Sequence, residues 1–304
     1  MAQFSEPSMT NSPKSKPAAP GQAASTPNLV PPTSMNDAKA EAAEVLAAPA
    51  FPIVGIGASA GGLVAFQAFF SGLPANADPG MAFVLVQHLA PDHKSLLAEL
   101  IARCTRMPVF EVQDGMRVQI NCVYVIPPNC EMTLQQGALH LHAPVVPRGK
   151  RLPINGFFQS LALDLQAHAI AIVLSGTGSD GTLGVRAIKQ AGGMVMAQDP
   201  SSCEYDGMPR SAIATGLVDY QLPPAAMPAQ LIACVAHSAS LSLNPGRRAK
   251  SRLKSVLGQI FALLHSQTGR DFSNYKASGV QRRIAKRMAL QQIETPELYV
   301  NYLR

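Results

Sequence analysis

Ile53-Val54-Gly55-Ile56-Gly57-Ala58-Ser59-Ala60-Gly61-Gly62 opens as an apolar strand, breaks into glycines around one hydroxyl, and continues as an apolar helix. A strand-to-helix turn this sharp needs small neighbours. It exposes the serine Oγ at the carboxyl end of the strand, beside helix-start N–H groups that can face a developing oxyanion. The chemistry suited to that placement is nucleophilic attack on an acyl carbon. Gly57, Ala60 and Gly61 are the candidate turn and oxyanion residues around Ser59, with Gly178 in a later glycine turn.

Gly-x-Ser-x-Gly alone has low specificity, because phosphate-binding turns and inert loops contain it too. Two further positions supply partners. His88 ends the apolar run Met81–Gln87, and Asp180 lies in Ser175-Gly176-Thr177-Gly178-Ser179-Asp180-Gly181, after the apolar run Ala169–Leu174. All three residues read as strand ends, the edge along which open α/β sheets bind ligands. A serine hydroxyl needs an imidazole to take its proton, and the imidazole needs a carboxylate to hold its tautomer and stabilise its cation. Ser59, His88 and Asp180 fit those roles. Their chain order differs from that of α/β-hydrolases, chymotrypsin and subtilisin, but geometry rather than order defines a triad.

The chain has 304 residues, is 47% hydrophobic and has few aromatics, which suits a soluble α/β domain with appendages. Its five cysteines include no Cys-x-x-Cys pair, and an odd count argues against a closed disulfide framework and for a reducing, cytoplasmic setting. The amino terminus carries no basic-then-apolar signal, and no apolar stretch approaches the roughly 20 residues of a membrane helix. Secretion and membrane insertion are therefore not expected.

Residues 1–48 are rich in Pro, Ala, Ser and Asn without sustained periodicity and read as a disordered leader. From Phe51 onward, strand-like runs at 52–57, 81–87, 169–174 and 194–198 alternate with helical patterns at about 61–72, 94–105, 154–167 and 182–191. Such alternation predicts an α/β fold: a doubly wound, mostly parallel sheet with helices on both faces. Pro108–Val112, Cys122–Pro127, Met132–Gln135 and Leu139–His142 read as strands of an antiparallel extension, and a helix at about 226–237 closes a catalytic domain spanning 49–238. A linker at 239–250 then leads into a short, all-α, basic segment at 251–304. Beyond Leu243 there are 12 Lys/Arg against 3 Asp/Glu, a surplus of nine in a chain of net charge +6, so the preceding part stands at −3. Arg282, Arg283, Lys286 and Arg287 cluster at helical spacing, while Val280, Ile284 and Met288 share an apolar stripe. The basic cluster reads either as a solvated face or as a docking face for acidic protein. Sparse aromatics and the lack of a nucleic-acid module argue against nucleic acid.

A dinucleotide site at Gly55–Gly62 would call for an acidic residue at the end of the second strand, where the chain has Gln87-His88. His88 with His93, or His140 with His142, lacks the thiol or carboxylate partners of a metal site, so neither metal nor cofactor is expected. Asp180 alone could simply cap the helix beginning near Thr182.

Read together, GIGASAGG (55–62), VLVQHLAPDH (84–93), VYVIPPN (123–129), IVLSGTGSDGTLGVRAIKQAGG (172–193) and AQDPSSCEYDGMPRSAIATGLVDY (197–220) resemble the catalytic domain of CheB-type chemotaxis protein-glutamate methylesterases. The resemblance implies that Ser59, His88 and Asp180 form the triad, and that the substrate is a glutamyl γ-methyl ester on a methylated chemoreceptor, cleaved to glutamate and methanol. Some members also deamidate receptor glutamines. An inert receptor-docking scaffold on the same fold is the alternative. Members commonly carry a receiver domain of about 120 residues, for which the leader is too short, so phosphoryl control in cis is not expected. TGRDFSNYKASGVQRRIAKRM (268–288) looks like the start of a CheR-type methyltransferase, so the chain reads as the front of an esterase–methyltransferase fusion.

Overall fold

A computed structural model of the chain describes residues 49, 51–74, 78–87, 96–147, 150–243, 247–275, 277–291, 293 and 295–304. The leader, His88 and His93 lie outside them.

The first described strand, β1 (Ile53–Ala58), is buried along its whole length. Strands buried on both faces read as continuous apolar runs rather than alternating ones, and β2 (Ala82–Gln87), β8 (Ala169–Val173) and β9 (Met194–Gln198) share that character. With β3 (Val109–Glu111), β5 (Val123–Val125) and β10 (Tyr220–Leu222) they form a seven-stranded sheet in the order β10-β9-β8-β1-β2-β5-β3. Every pairing in it is parallel. Growing outward from β1, the chain adds β2, β5 and β3 on one side and β8, β9 and β10 on the other. The β1–β8 boundary is thus where the winding reverses, the point at which such sheets open a crevice beyond the strands' carboxyl ends.

The four runs read as an antiparallel extension divide in two. Val109–Glu111 and Val123–Val125 lengthen the parallel sheet. Glu131–Gln135 (β6) and Ala138–His142 (β7) form a hairpin that is joined by β4 (Met116–Arg117) into a separate three-stranded antiparallel sheet. The hairpin turn at Gln136-Gly137 has both residues at positive φ, 51° and 73°, the twist that two-residue hairpins favour.

Helices α1 (Gly62–Ser71), α2 (Leu97–Ala102) and α6 (Met227–Leu243) cover one face, where Phe69, Phe70 and Phe83 meet edge to face. On the opposite face lie α3 (Pro153–Leu165), α4 (Thr182–Gln190), α5 (Gly207–Ile213) and the small sheet. The alternation of β1 assigns Val54 and Ile56 to the first layer and turns Gly55 and Gly57 toward α3, which lies almost against the backbone. A Cβ on Gly57 would stand 2.4 Å from Ile154 Cγ2, and one on Gly55 would stand 3.0 Å from rings of both Phe157 and Phe158. These two glycines therefore set how closely the start of α3 approaches the centre of the sheet.

The stretch expected as a linker, 239–250, is helical on both sides of Pro245-Gly246: α6 runs to Leu243 and α7 (Arg247–Thr268) starts at Arg247. The Ala, Ser and Leu residues before the break carry no helix-stopping signal. α7, α8 (Ala277–Leu290) and α9 (Pro296–Leu303) bury a separate core of Leu253, Val256, Leu257, Ile260, Ile284, Met288, Tyr299 and Val300. The apolar stripe of α8 is thus core, with Val280 packed at its margin. Thr295 caps α9 by accepting the Leu298 N–H, with Pro296 in the first turn. No helix among the described residues is long and apolar enough to cross a membrane.

Gly57→Ala is expected to lower unfolding stability by about 1–3 kcal/mol through overpacking. Adding Ile154→Ala should restore part of the loss in urea titrations, since the two side chains compete for one space. Purely additive losses would contradict this packing.

Candidate active site

Ser59 leaves β1 in a turn fastened on two sides. Its N–H donates to the carbonyl of Ser175, just past the end of β8, at 2.9 Å. Its own carbonyl accepts the Gly62 N–H at 2.9 Å and Gln87 Nε2, at the end of β2, at 3.4 Å. Gly61, at φ 71°, takes the left-handed conformation that starts α1 without a side-chain cap. Gly176 permits the closest approach: a Cβ there would lie 3.0 Å from Ser59 Cβ and 2.2 Å from Met208 Sδ. The serine is half-buried, and among the described residues the N–H groups of Ala60 and Gly61 make no hydrogen bond.

The remaining glycines grouped with Ser59 divide by function. Gly57 is a packing position under Ile154 rather than a donor. Gly178, at φ 79°, supports the second turn, and its carbonyl accepts Ser211 Oγ at 3.3 Å.

Asp180 is buried, and both carboxylate oxygens are engaged. Oδ2 accepts the Ile154 N–H at 3.0 Å, while Oδ1 accepts the N–H groups of Asn155 at 2.9 Å and Gly181 at 2.8 Å. Asp180 therefore caps a helix, but a different one from the one its sequence neighbours suggest. It serves the first turn of α3, whereas the residue at the cap of α4, Gly181, has no side chain to cap that helix. Asn155 returns the exchange: its Oδ1 accepts the Gly184 N–H in the first turn of α4 at 2.9 Å. Each helix start thus receives a side-chain acceptor from the other, a reciprocal arrangement that satisfies buried donors. Three N–H donors and two helix starts around the carboxylate make a seat for negative charge.

Three residues not singled out in the sequence hold the floor of the site. Ser175 Oγ donates to the carbonyls of Ala60, at 2.9 Å, and Tyr205, at 3.1 Å, and accepts the Tyr205 N–H at 3.0 Å. Gln198, buried at the end of β9, accepts the Ser175 N–H with Oε1 at 2.8 Å and donates to the Ser202 carbonyl at 2.9 Å. Asn155 is the third. Their common signal is a polar residue ending a buried strand or opening an otherwise apolar helix face. Gln87 also accounts for the missing dinucleotide acid, since the end of β2 braces the serine turn.

His88 lies outside the described residues, although β1 and β2 are neighbours in register, with Ala58 opposite Gln87. Of the basic cluster on α8, the side chains of Arg282 and Lys286 also lie outside them, and Arg283 is exposed. Arg287 has an intramolecular partner. Its Nη1 lies 3.3 Å from Oδ1 of the buried Asp219, which Lys189 Nζ also engages at 2.7 Å. Among the cysteines, Cys203 is nearest in sequence to the site loop. Burial, with Asp206 and Asp199 adding to it, pushes its thiol up to about 11, so it is poorly suited to act as the nucleophile.

The family model for the CheB methylesterase matches residues 54–231. The chain belongs to the CheB methylesterase family. A second model, the all-alpha domain of the CheR methyltransferase, matches 256–304. The Thermotoga maritima CheB methylesterase catalytic domain superposes with a TM-score of 0.55 at 31% identity, covering 60% of this chain and 98% of that one. Protein-glutamate methylesterase/protein-glutamine glutaminase 2 of Pseudomonas aeruginosa is 36% identical over 175 residues, 56% of this chain and 49% of the relative. An uncharacterized 104.1 kDa protein of Rhodobacter capsulatus is 37% identical over 227 residues, 68% of this chain and 24% of that relative. The chain thus spans about half the length of one of these two curated relatives and about a quarter of the other.

Asp180→Ala strips three N–H groups of their acceptor and is expected to cost about 3 kcal/mol in urea unfolding, with Asp180→Asn costing less because one oxygen remains. Equal stability of all three proteins would refute the capping role. For Cys203, alkylation by iodoacetamide followed by mass spectrometry should be slow at pH 7, where only about one thiol in ten thousand is ionised, and should rise tenfold per pH unit into the alkaline range. A plateau near neutrality would contradict the raised value.

Proposed function

We propose that this chain is a serine esterase that hydrolyses glutamyl γ-methyl esters on chemoreceptors of chemotaxis-type signalling, with Ser59 as nucleophile, His88 as general base and acid, and Asp180 as the carboxylate behind it. The observation that carries the proposal is that a serine on a glycine-flanked turn and a buried carboxylate seated on three N–H groups follow the carboxyl ends of adjacent strands on either side of the β1–β8 winding reversal. Membership of the CheB family and the matched catalytic domain support the same chemistry.

In this mechanism Ser59 Oγ bonds to the ester carbonyl carbon as its proton passes to the His88 imidazole. The carbonyl oxygen, now negative, takes hydrogen bonds from the N–H groups of Ala60 and Gly61, which make none among the described residues. Collapse of the tetrahedral species breaks the bond to the methoxy oxygen, which leaves as methanol with the proton from His88. Water then adds to the acyl carbon as its proton passes to His88, and the bond to Ser59 Oγ breaks as His88 returns that proton to Oγ, releasing the glutamate side chain. The same steps on a glutamine amide would release ammonia, as the glutaminase part of the Pseudomonas relative's name suggests.

The domain reading that goes with this proposal is a catalytic domain over 49–238 and a CheR-type helical segment over 251–304. Arg282, Arg283 and Lys286 are the proposed contacts to an acidic receptor surface, while Arg287 is shared with Asp219.

Ser59→Ala should abolish release of methanol from a methylated receptor fragment, a loss of about a million-fold being typical when a triad nucleophile is removed, with the unfolding curve unchanged. Asp180→Asn should cut turnover by orders of magnitude while leaving KM nearly constant. Turnover by Ser59→Ala within tenfold of the parent would overturn the assignment.

A further inference from the structure

The segment from Cys203 to Met208 is held against the floor of the site by its backbone. The Tyr205 N–H donates to Ser175 Oγ at 3.0 Å, the Gly176 N–H donates to the Tyr205 carbonyl at 2.9 Å, and the Met208 N–H donates to the Gly176 carbonyl at 2.8 Å. These bonds flank Glu204 and fix where its side chain leaves the chain. That side chain lies over the backbone of Gly61, two residues past Ser59: a Cβ on Gly61 would stand 2.9 Å from both Glu204 Cβ and Glu204 Oε2. Gly61 therefore makes room for this carboxylate as well as turning the chain into α1.

The placement is unusual for a site that must gather negative charge on an oxygen. Glu204 is exposed, and among the described residues it has no ion-pair partner. The neighbouring acids are differently occupied. Asp206 is paired with Arg210, and Asp199 accepts the N–H and hydroxyl of Ser201. A carboxylate on a backbone held in this way, with no ion-pair partner among the described residues, raises the cost of bringing a second anion to the site and lowers that of a cation.

We propose that Glu204 sets the charge preference of the site, favouring esters that carry a cation beside the reacting carbonyl and disfavouring those that carry a second carboxylate, the hydrolysis product included. The inference rests on the esterase reading above. Its action is on binding: Glu204 is a specificity-determining residue, and the product carboxylate formed next to it is driven out rather than retained.

The test uses three matched peptides with one glutamyl γ-methyl ester flanked by Lys, Gln or Asp, assayed for methanol release with the parent chain and with Glu204→Gln at low and high ionic strength. A pair of unit charges about 7 Å apart at an effective dielectric of about 50 changes binding about fivefold. The parent should therefore prefer the Lys peptide to the Asp peptide by about fivefold or more in kcat/KM, mainly through KM. Glu204→Gln should bring that ratio toward one, as should salt with the parent, and the demethylated Gln peptide should inhibit the variant more strongly than the parent. Turnover of all three peptides with a ratio unmoved by Glu204→Gln overturns the proposal and leaves the esterase reading standing. Failure of the parent to turn over any of them overturns both.

Discussion

The carboxylate of Asp180, accepting the first-turn N–H groups of α3, is the contact on which the rest of the site depends. Buried donors at a helix start must find acceptors, and here the acceptor comes from the loop of a different strand. That single requirement fixes the loop after β8 against the start of α3, and Ile154 in turn fixes α3 against the glycine face of β1. A residue suited to orienting an imidazole is thereby also a structural clasp. The two roles are compatible because a helix start seats an anion and because Oδ1 takes two of the three N–H groups.

The second support is a polar chain running under the serine turn, from Gln198 through Ser175 to Ala60 and Tyr205. It lies where β1, β8 and β9 end, so the polar groups left unpaired by the ends of three buried strands satisfy one another. Rigidity at Ser59 follows from this network and from the backbone approach that Gly176 allows. The same network holds the backbone on either side of Glu204, whose side chain lies beside Gly61.

The helical segment is organised by its own apolar core, and its basic surplus is only partly available. Asp219, buried at the β10 edge, takes both Lys189 from α4 and Arg287 from α8. A buried carboxylate of this kind needs cationic partners to offset its desolvation, and the nearer α8 arginine is drawn into that service. A cluster that looks uniform on a helical wheel is therefore divided by tertiary structure: Arg287, itself exposed, reaches the buried Asp219 carboxylate, and Arg283 is exposed with no such partner among the described residues.

Sequence by itself determined the α/β class, the strands at 53–58, 82–87, 169–173 and 194–198, and the strand-end positions of Ser59 and Asp180, because continuous apolar runs and glycine turns are local signals that burial reinforces. It also marked α8's apolar stripe, which the helical core confirms. Tertiary structure decided what depends on separate segments meeting. Short strands such as Val109–Glu111 and Val123–Val125 carry no mark of the sheet they join, so only pairing made them parallel members of the main sheet. Asp180 capping α3 rather than α4, Asn155 returning the favour to α4, and Gly57 yielding its space to Ile154 are contacts across 25 or more positions of chain. Local periodicity cannot encode such contacts, because the unsatisfied N–H groups that demand them exist only once the helices have been brought to the sheet.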